Sequence, residues 1–322
     1  MDKSFDVSRR VFAAGLIGAG ALAASPARAQ FGGLGGIVRS VTSEIGLNRV
    51  FGGDEPITTK LADAVWGNPA LDGVDPPGTA APLTSLARTP VGGFVLQPGY
   101  WRFTAQSYCL HAGTHGPGGG DGYLYAPLKG AREEAIRDIL RNSNQHPGIE
   151  QHSIQTLIWA ILARAKFEDL STEHKLVAAQ LLSRRQLATL NRSALDLVPS
   201  GAMSGLVGQV PAPLRAAFQA EAALRNGLVG GASYADLESI AVLSGAVPMG
   251  EGSRAVPSGR WSDHPDGYRI RYVPSGYSQT EVSIWCEEGS AGAGKEFDPS
   301  VQVAVPGNTS RQRLAQSGRE RA

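Results

Sequence analysis

The sequence predicts an α+β fold: a β-hairpin and glycine loop, an antiparallel helical bundle, and a small antiparallel sheet towards the C-terminus. Three observations predict it. Apolar and polar residues alternate from Trp101 to Cys109 with the period of a half-buried strand. Apolar residues recur at helical spacing from Ala131 to about Asn191. Beyond Gly267 the period returns to two. The expected organisation is a leader over 1–29, an irregular linker or tether over 30–92, a hairpin plus helical domain over 93–250, a small β region over 251–306 and a disordered tail over 307–322.

The leader is a twin-arginine export signal. Ser8-Arg9-Arg10-Val11-Phe12 supplies the twin-arginine core, and an apolar stretch runs from Val11 to Ala24. Pro26-Ala27-Arg28-Ala29 ends in an A-x-A pattern, which places cleavage after Ala29. The expected location is therefore the periplasm or the outside of the cell, and the expected transport partner is the Tat translocase. The whole 322-residue chain carries a formal charge of +1. The leader holds Lys3, Arg9, Arg10 and Arg28 against Asp2 and Asp6, so the mature chain is near neutrality. That balance lacks the basic bias of a nucleic-acid binder. No later stretch reaches the roughly 20 apolar residues of a membrane helix, so no span is expected in the mature chain.

Residues 30–92 begin glycine-rich, with a short helix expected through Val41 to Leu47. They continue as proline-punctuated loop, with another short helix near Thr58 to Trp66. Pro98-Gly99 suits the centre of a type II turn, which makes Phe94–Gln97 and Tyr100–Ser107 the arms of a hairpin. Trp101, Phe103, Ala105, Ser107 and Cys109 share its inner face. Six glycines between His111 and Gly122, with Pro117 among them, exclude regular structure there, and Tyr123–Pro127 is a short extended piece. Helices are expected over Ala131–Asn142, Gln151–Ala165, from an N-cap at Ser171 to about Asn191, over Pro211–Arg225 and over Tyr234–Leu243. The first three, on short links, should pack antiparallel. Strands are expected at Tyr268–Tyr272, Thr280–Cys286 and Val301–Val305. The arginine-rich stretch after Pro306 is expected to be solvated.

Candidate chemistry centres on Tyr100–Gly130. Cys109 and Cys286 both lie on the inward phase of strands in a chain bound for an oxidising compartment, so a Cys109–Cys286 disulfide is expected. In the chain-entropy model it would stabilise by about 5 kcal/mol. Cys109 and His115 are the candidates for nucleophilic catalysis, a thiol near an imidazole. His111, His115 and Asp121 are the candidate metal ligands, though their spacing matches no standard metal motif. Tyr108, His111, His115, Asp121, Tyr123 and Tyr125 are the candidate ligand-binding set: tyrosine faces stack on sugars while a glycine loop comes close to the hydroxyls.

Two further patterns fail on chemistry. Gly289–Glu296 approximates a phosphate-binding loop but carries a carboxylate where a hydroxyl is required, and Phe297-Asp298-Pro299 cannot open the helix. His264-Pro265-Asp266-Gly267 reads as a turn rather than part of a triad. No cofactor is called for. The function expected is a non-catalytic cell-envelope protein binding a glycan or another envelope protein through the 111–125 loop. The alternative is a hydrolase of envelope polymers working through Cys109 or a metal at His111 and His115.

Overall fold

The computed structural model describes residues 55–190 and 212–321. The leader, the tether up to residue 54 and the short helix expected at Val41–Leu47 lie outside the described residues. Twelve strands and six α-helices are described. The strands are β1 (Ala81–Pro82), β2 (Phe94–Val95), β3 (Gly99–Cys109), β4 (Thr114–His115), β5 (Tyr123–Pro127), β6 (Val242–Leu243), β7 (Trp261–Asp263), β8 (Arg269–Pro274), β9 (Gln279–Cys286), β10 (Glu296–Phe297), β11 (Gln302–Pro306) and β12 (Leu314–Glu320). The helices are α1 (Glu133–Ser143), α2 (Gln151–Leu162), α3 (Thr172–Leu181), α4 (Arg184–Leu190), α5 (Ala212–Gly230) and α6 (Tyr234–Ala241).

The expected architecture is overturned. Instead of a helical bundle beside a small sheet, six antiparallel strands close into a barrel in the order β3-β12-β11-β5-β8-β9, with β9 returning to β3. The eleven residues of β3 close it. Gly99–Gln106 pairs with β9, and Ala105–Cys109 pairs with β12. The part of β3 that β12 does not reach takes β1 in parallel, Ala81 opposite Trp101. Closure removes the free edges that a small open sheet would expose.

Three local expectations change with it. The hairpin at Pro98-Gly99 does not form, because Phe94 pairs with Phe297 of β10 rather than with β3. The tail is not solvated: Leu314–Glu320 is a barrel strand, Leu314 through Gly318 are buried, and exposure rises only at Arg319 and Glu320. The described part of the linker is bound to the barrel. Asp72 pairs with the buried Arg260, Trp261 Nε1 donates to the Val74 carbonyl at 2.9 Å, and Asp75 pairs with Arg271 at 2.8 Å. Only one 3-10 turn, Leu61–Asp63, stands where the helix near Thr58 was expected.

The helices lie against the outside of the barrel. Tyr108, Leu124, Ala126, Val303, Val305 and Ala315 turn outward from β3, β5, β11 and β12 into one apolar cluster with Ile136, Ile139, Leu157 and Ile161 of α1 and α2. The opposite phase of the same and neighbouring strands fills the barrel with Phe103, Ala105, Tyr123, Ile270, Tyr272, Val282, Ile284, Ala304 and Leu314. Because β11 is covered on both faces, all five of its residues are buried. Each large apolar side chain so enclosed is worth about 1.5–3 kcal/mol. Gln155 of α2 completes the end of β3, accepting from the Cys109 N–H at 2.8 Å and donating to the Cys109 carbonyl at 3.3 Å.

The long helix expected from Ser171 is cut in two. Ser171 does cap α3, its hydroxyl accepting from the His174 N–H. Leu182 then leaves the helix in an extended conformation. Ser183 starts α4 with a reciprocal box: its hydroxyl accepts from the Gln186 N–H at 3.3 Å and the Gln186 side chain accepts from the Ser183 N–H at 2.9 Å.

Candidate functional site

The barrel separates the residues that the sequence groups together. Tyr108 turns outward beneath the helices and Tyr123 inward, and both are fully buried. Burial pushes the Tyr108 phenol up to about 12 and raises that of Tyr123 further. Neither ring can stack on a ligand from solvent. Cys109 and Cys286 are free and buried, which overturns the expected disulfide. Burial, with the negative charge of Glu238, raises the Cys109 thiol well above its ordinary range, so it is an inert core thiol rather than a nucleophile.

The glycine loop is a packed structure built on an ion pair. Arg311 Nε lies 2.8 Å from Asp121 Oδ2, and Arg311 Nη1 donates to the Gly116 carbonyl at 2.6 Å. Asp121 Oδ2 also accepts from the Gly118 N–H at 2.7 Å. A Cβ on Gly118 would stand 2.5 Å from Arg311 Nη2, and one on Gly122 2.3 Å from the Val256 carbonyl oxygen. These glycines serve close approach within the protein, not approach to a ligand. His111 sits beside Arg313, and burial together with that cation depresses its pKa well below the usual range. His115 is held by its backbone, donating to the Ser310 carbonyl and accepting from the Gln312 N–H. Thus His111, His115 and Asp121 do not converge. Among the described residues no three His, Cys, Asp or Glu side chains are grouped to hold a metal.

Tyr125 is the exception. It stands in the middle of β5, 7% exposed, and lines a cleft of about 540 Å³ at the barrel mouth. One wall is the Glu133–Arg137–Arg141 stripe of α1, spaced i, i+4, i+8; the others are the 264–267 turn and residues 295–302. The floor is aromatic. The His264 ring stacks on Tyr268 with centroids 4.2 Å apart and meets Tyr125 at 4.4 Å. The turn forms as its sequence predicts, with Gly267 at φ +93° and its N–H donating to the His264 carbonyl.

The electrostatics of the cleft follow from these contacts. His264 Nδ1 accepts from the Asp266 N–H at 3.1 Å, so in the neutral ring Nε2 carries the proton. Burial lowers the His264 pKa to about 4, against the opposing pull of Asp266. The ring is therefore a neutral N–H donor at pH 7. Burial, aided by the charge of Asp266, pushes the Tyr125 phenol up to about 12, so it stays protonated. Asp298, only 6% exposed, takes Arg141 Nε at 2.8 Å on one oxygen and the Ser300 N–H and hydroxyl on the other. Behind the floor, Gln302 bridges two barrel tyrosines, accepting from Tyr272 at 2.9 Å and donating to Tyr268 at 3.1 Å.

No protein-family model matches this chain, and neither a curated protein nor a solved structure matches it.

The sequence offered weak signals for this cleft. Arg137 and Arg141 fall four residues apart on α1, but charged positions on a helix read as solvated. His264 was legible only as a turn residue, and Lys295 only as part of a failed phosphate loop. What unites them is the pairing of β5 with β11, Tyr125 opposite Ala304, which no local pattern encodes.

Proposed function

We propose that the mature protein is a non-catalytic, Tat-exported cell-envelope protein that binds a glycan segment in the Tyr125–His264 cleft. The observation that carries this reading is the pairing of an aromatic floor with a rim of mixed donors and acceptors. Tyr125 and His264 offer ring surface to the apolar side of a sugar. The His264 N–H, Arg137 and Lys295 offer donors, and Asp266, 49% exposed at its side chain, offers an acceptor for hydroxyls. The volume of about 540 Å³ falls within the range of sites for small ligands or short polymer segments. This favours a sugar over a protein surface as occupant and moves the binding locus from the glycine loop to its C-terminal neighbour. The non-catalytic part is supported by the inert setting of Cys109 and by the contact between Ser171 and His174, which belongs to an exposed helix cap.

Export and periplasmic location rest on Arg9-Arg10 and the A-x-A site at Ala29. Replacing both arginines by lysine should leave the full precursor in the cytoplasm. For binding, calorimetry with peptide-free cell-wall glycan strands is the direct test. Tyr125→Phe keeps the ring and removes the hydroxyl, and should weaken binding about three- to tenfold, the worth of one hydrogen bond. Absence of any binding by the wild-type mature chain defeats the reading.

A further inference from the structure

We infer that the sugar taken by this cleft carries a carboxylate, seated between Arg137 on the helical wall and Lys295 on the opposite one. The inference rests on the glycan reading and names the chemical class of the glycan. Its basis is a difference in hydrogen-bond occupancy between the four acids and the three cations that line the cleft.

Three of the four acids already hold donors of the protein; the fourth, Asp266, is 49% exposed at its side chain beside the neutral His264 and leaves the carboxylate to the side of the cleft that Arg137 and Lys295 line. Asp298 is shared between Arg141 and Ser300. Glu133 accepts from the Gly130 N–H at 3.1 Å. Glu296 accepts from the Thr89 hydroxyl. The cations are less occupied. Arg137 touches Asp138 through Nε alone, at 3.2 Å, and the other oxygen of Asp138 takes the Gln186 amide at 2.7 Å. Neither terminal nitrogen of Arg137 has a protein partner among the described residues. Lys295 is exposed, and its ammonium makes no ion pair among the described residues.

A carboxylate presents two acceptor oxygens and no donor, which matches the open edge of a guanidinium and an ammonium. A neutral sugar would offer both cations only hydroxyl oxygens, without an opposite charge. The neutral His264 adds a hydrogen-bond donor without a third charge. The aromatic floor fixes the ring, so the carboxylate is presented at the rim, where its contribution is screened by salt.

The test uses the mature protein and two forms of one polymer. The first is peptide-free cell-wall glycan, whose N-acetylmuramic acid units carry carboxylates; the second is the same glycan with those carboxyls reduced to alcohols. Calorimetry at low salt is expected to give at least tenfold tighter binding of the acidic form. In Arg137→Gln/Lys295→Gln that preference for the acidic form should fall below threefold. Circular dichroism and the thermal midpoint confirm that the double variant folds; if it does not, each single variant, expected to lose part of the preference, replaces it. Equal wild-type affinity for both forms, or a preference that survives the substitutions, overturns the carboxylate inference and leaves the glycan reading standing. Failure to bind either form overturns both.

Discussion

Cys109 and Cys286 mark opposite ends of β3, Cys109 within it and Cys286 on the neighbouring β9. Cys286 lies opposite Gly99, the first residue of β3, and Cys109 is the last. Ten residues at about 3.3 Å each place the two positions on the order of 33 Å apart along the barrel, whereas a disulfide needs Cα atoms within about 7 Å. Alkylation of native protein under non-reducing conditions should label neither thiol, and the unfolded protein should take up two labels. Reductant should leave the thermal midpoint unchanged. A mass consistent with an intramolecular bridge would contradict this arrangement.

The second prediction concerns the C-terminus. Leu314 pairs with Cys109 on one side and Ala304 on the other, so β12 joins β3 to β11 and completes the barrel. Deleting residues 307–322 should abolish cooperative unfolding, read by near-ultraviolet circular dichroism. A truncated chain with native spectra and an unchanged midpoint would restore the view of this stretch as a tail.

The glycine loop provides a contrast within a few residues. Gly122→Ala drives a methyl against two backbone carbonyls, those of Val256 and Pro257 at 2.3 and 2.5 Å. Neither can step aside cheaply, and a cost of about 1–3 kcal/mol is expected from chemical denaturation. Gly119→Ala meets nothing within 4 Å and needs no positive φ, so its effect should stay within about 0.5 kcal/mol. Equal effects at the two sites would mean that the loop is not packed as described.

His264 should leave a signature in the pH dependence of stability. Its folded pKa is about 4 against an ordinary 6.5, depressed first by burial. Between these values the unfolded chain binds more protons than the folded one, so stability rises with pH across that window. The contribution is complete above pH 6.5 and is lost as pH falls towards 4. After allowance for solvent screening the loss is on the order of 2 kcal/mol. His264→Gln should flatten the stability profile between pH 6.5 and 4. An unchanged slope would show that the ring titrates normally.

Much of the local structure was legible. β3 appears where the alternation from Trp101 to Cys109 places it, and α1, α2 and α6 begin within two residues of their expected starts. The tail was misread because Leu314–Glu320 contains Gln316, Ser317, Gly318 and two charged residues, a composition that argues against a buried strand. Yet Gln316 and Ser317 are 1% and 0% exposed. The barrel interior accepts polar groups in pairs, such as the 2.7 Å hydrogen bond from Ser107 to Thr280, and this erases the apolar rhythm that marks a strand. The candidate site was legible only at Tyr125. Alternation says that Tyr123 and Tyr125 share a face, but not that the face is the inside of a closed barrel, where one ring is enclosed and the next reaches the mouth.

The sequence by itself determined most of the helical segments and the phase of each recognisable strand, because these depend on neighbours three or four residues away at most. Tertiary structure alone decided that the strands close on themselves, that the cysteines point into separate regions, and that α1 carries its arginines to the mouth of the barrel. The physical reason is that strand pairing is a long-range hydrogen-bonding choice: Cys109 finds Leu314 and Gly99 finds Cys286. Nothing in the residues flanking either partner specifies the other.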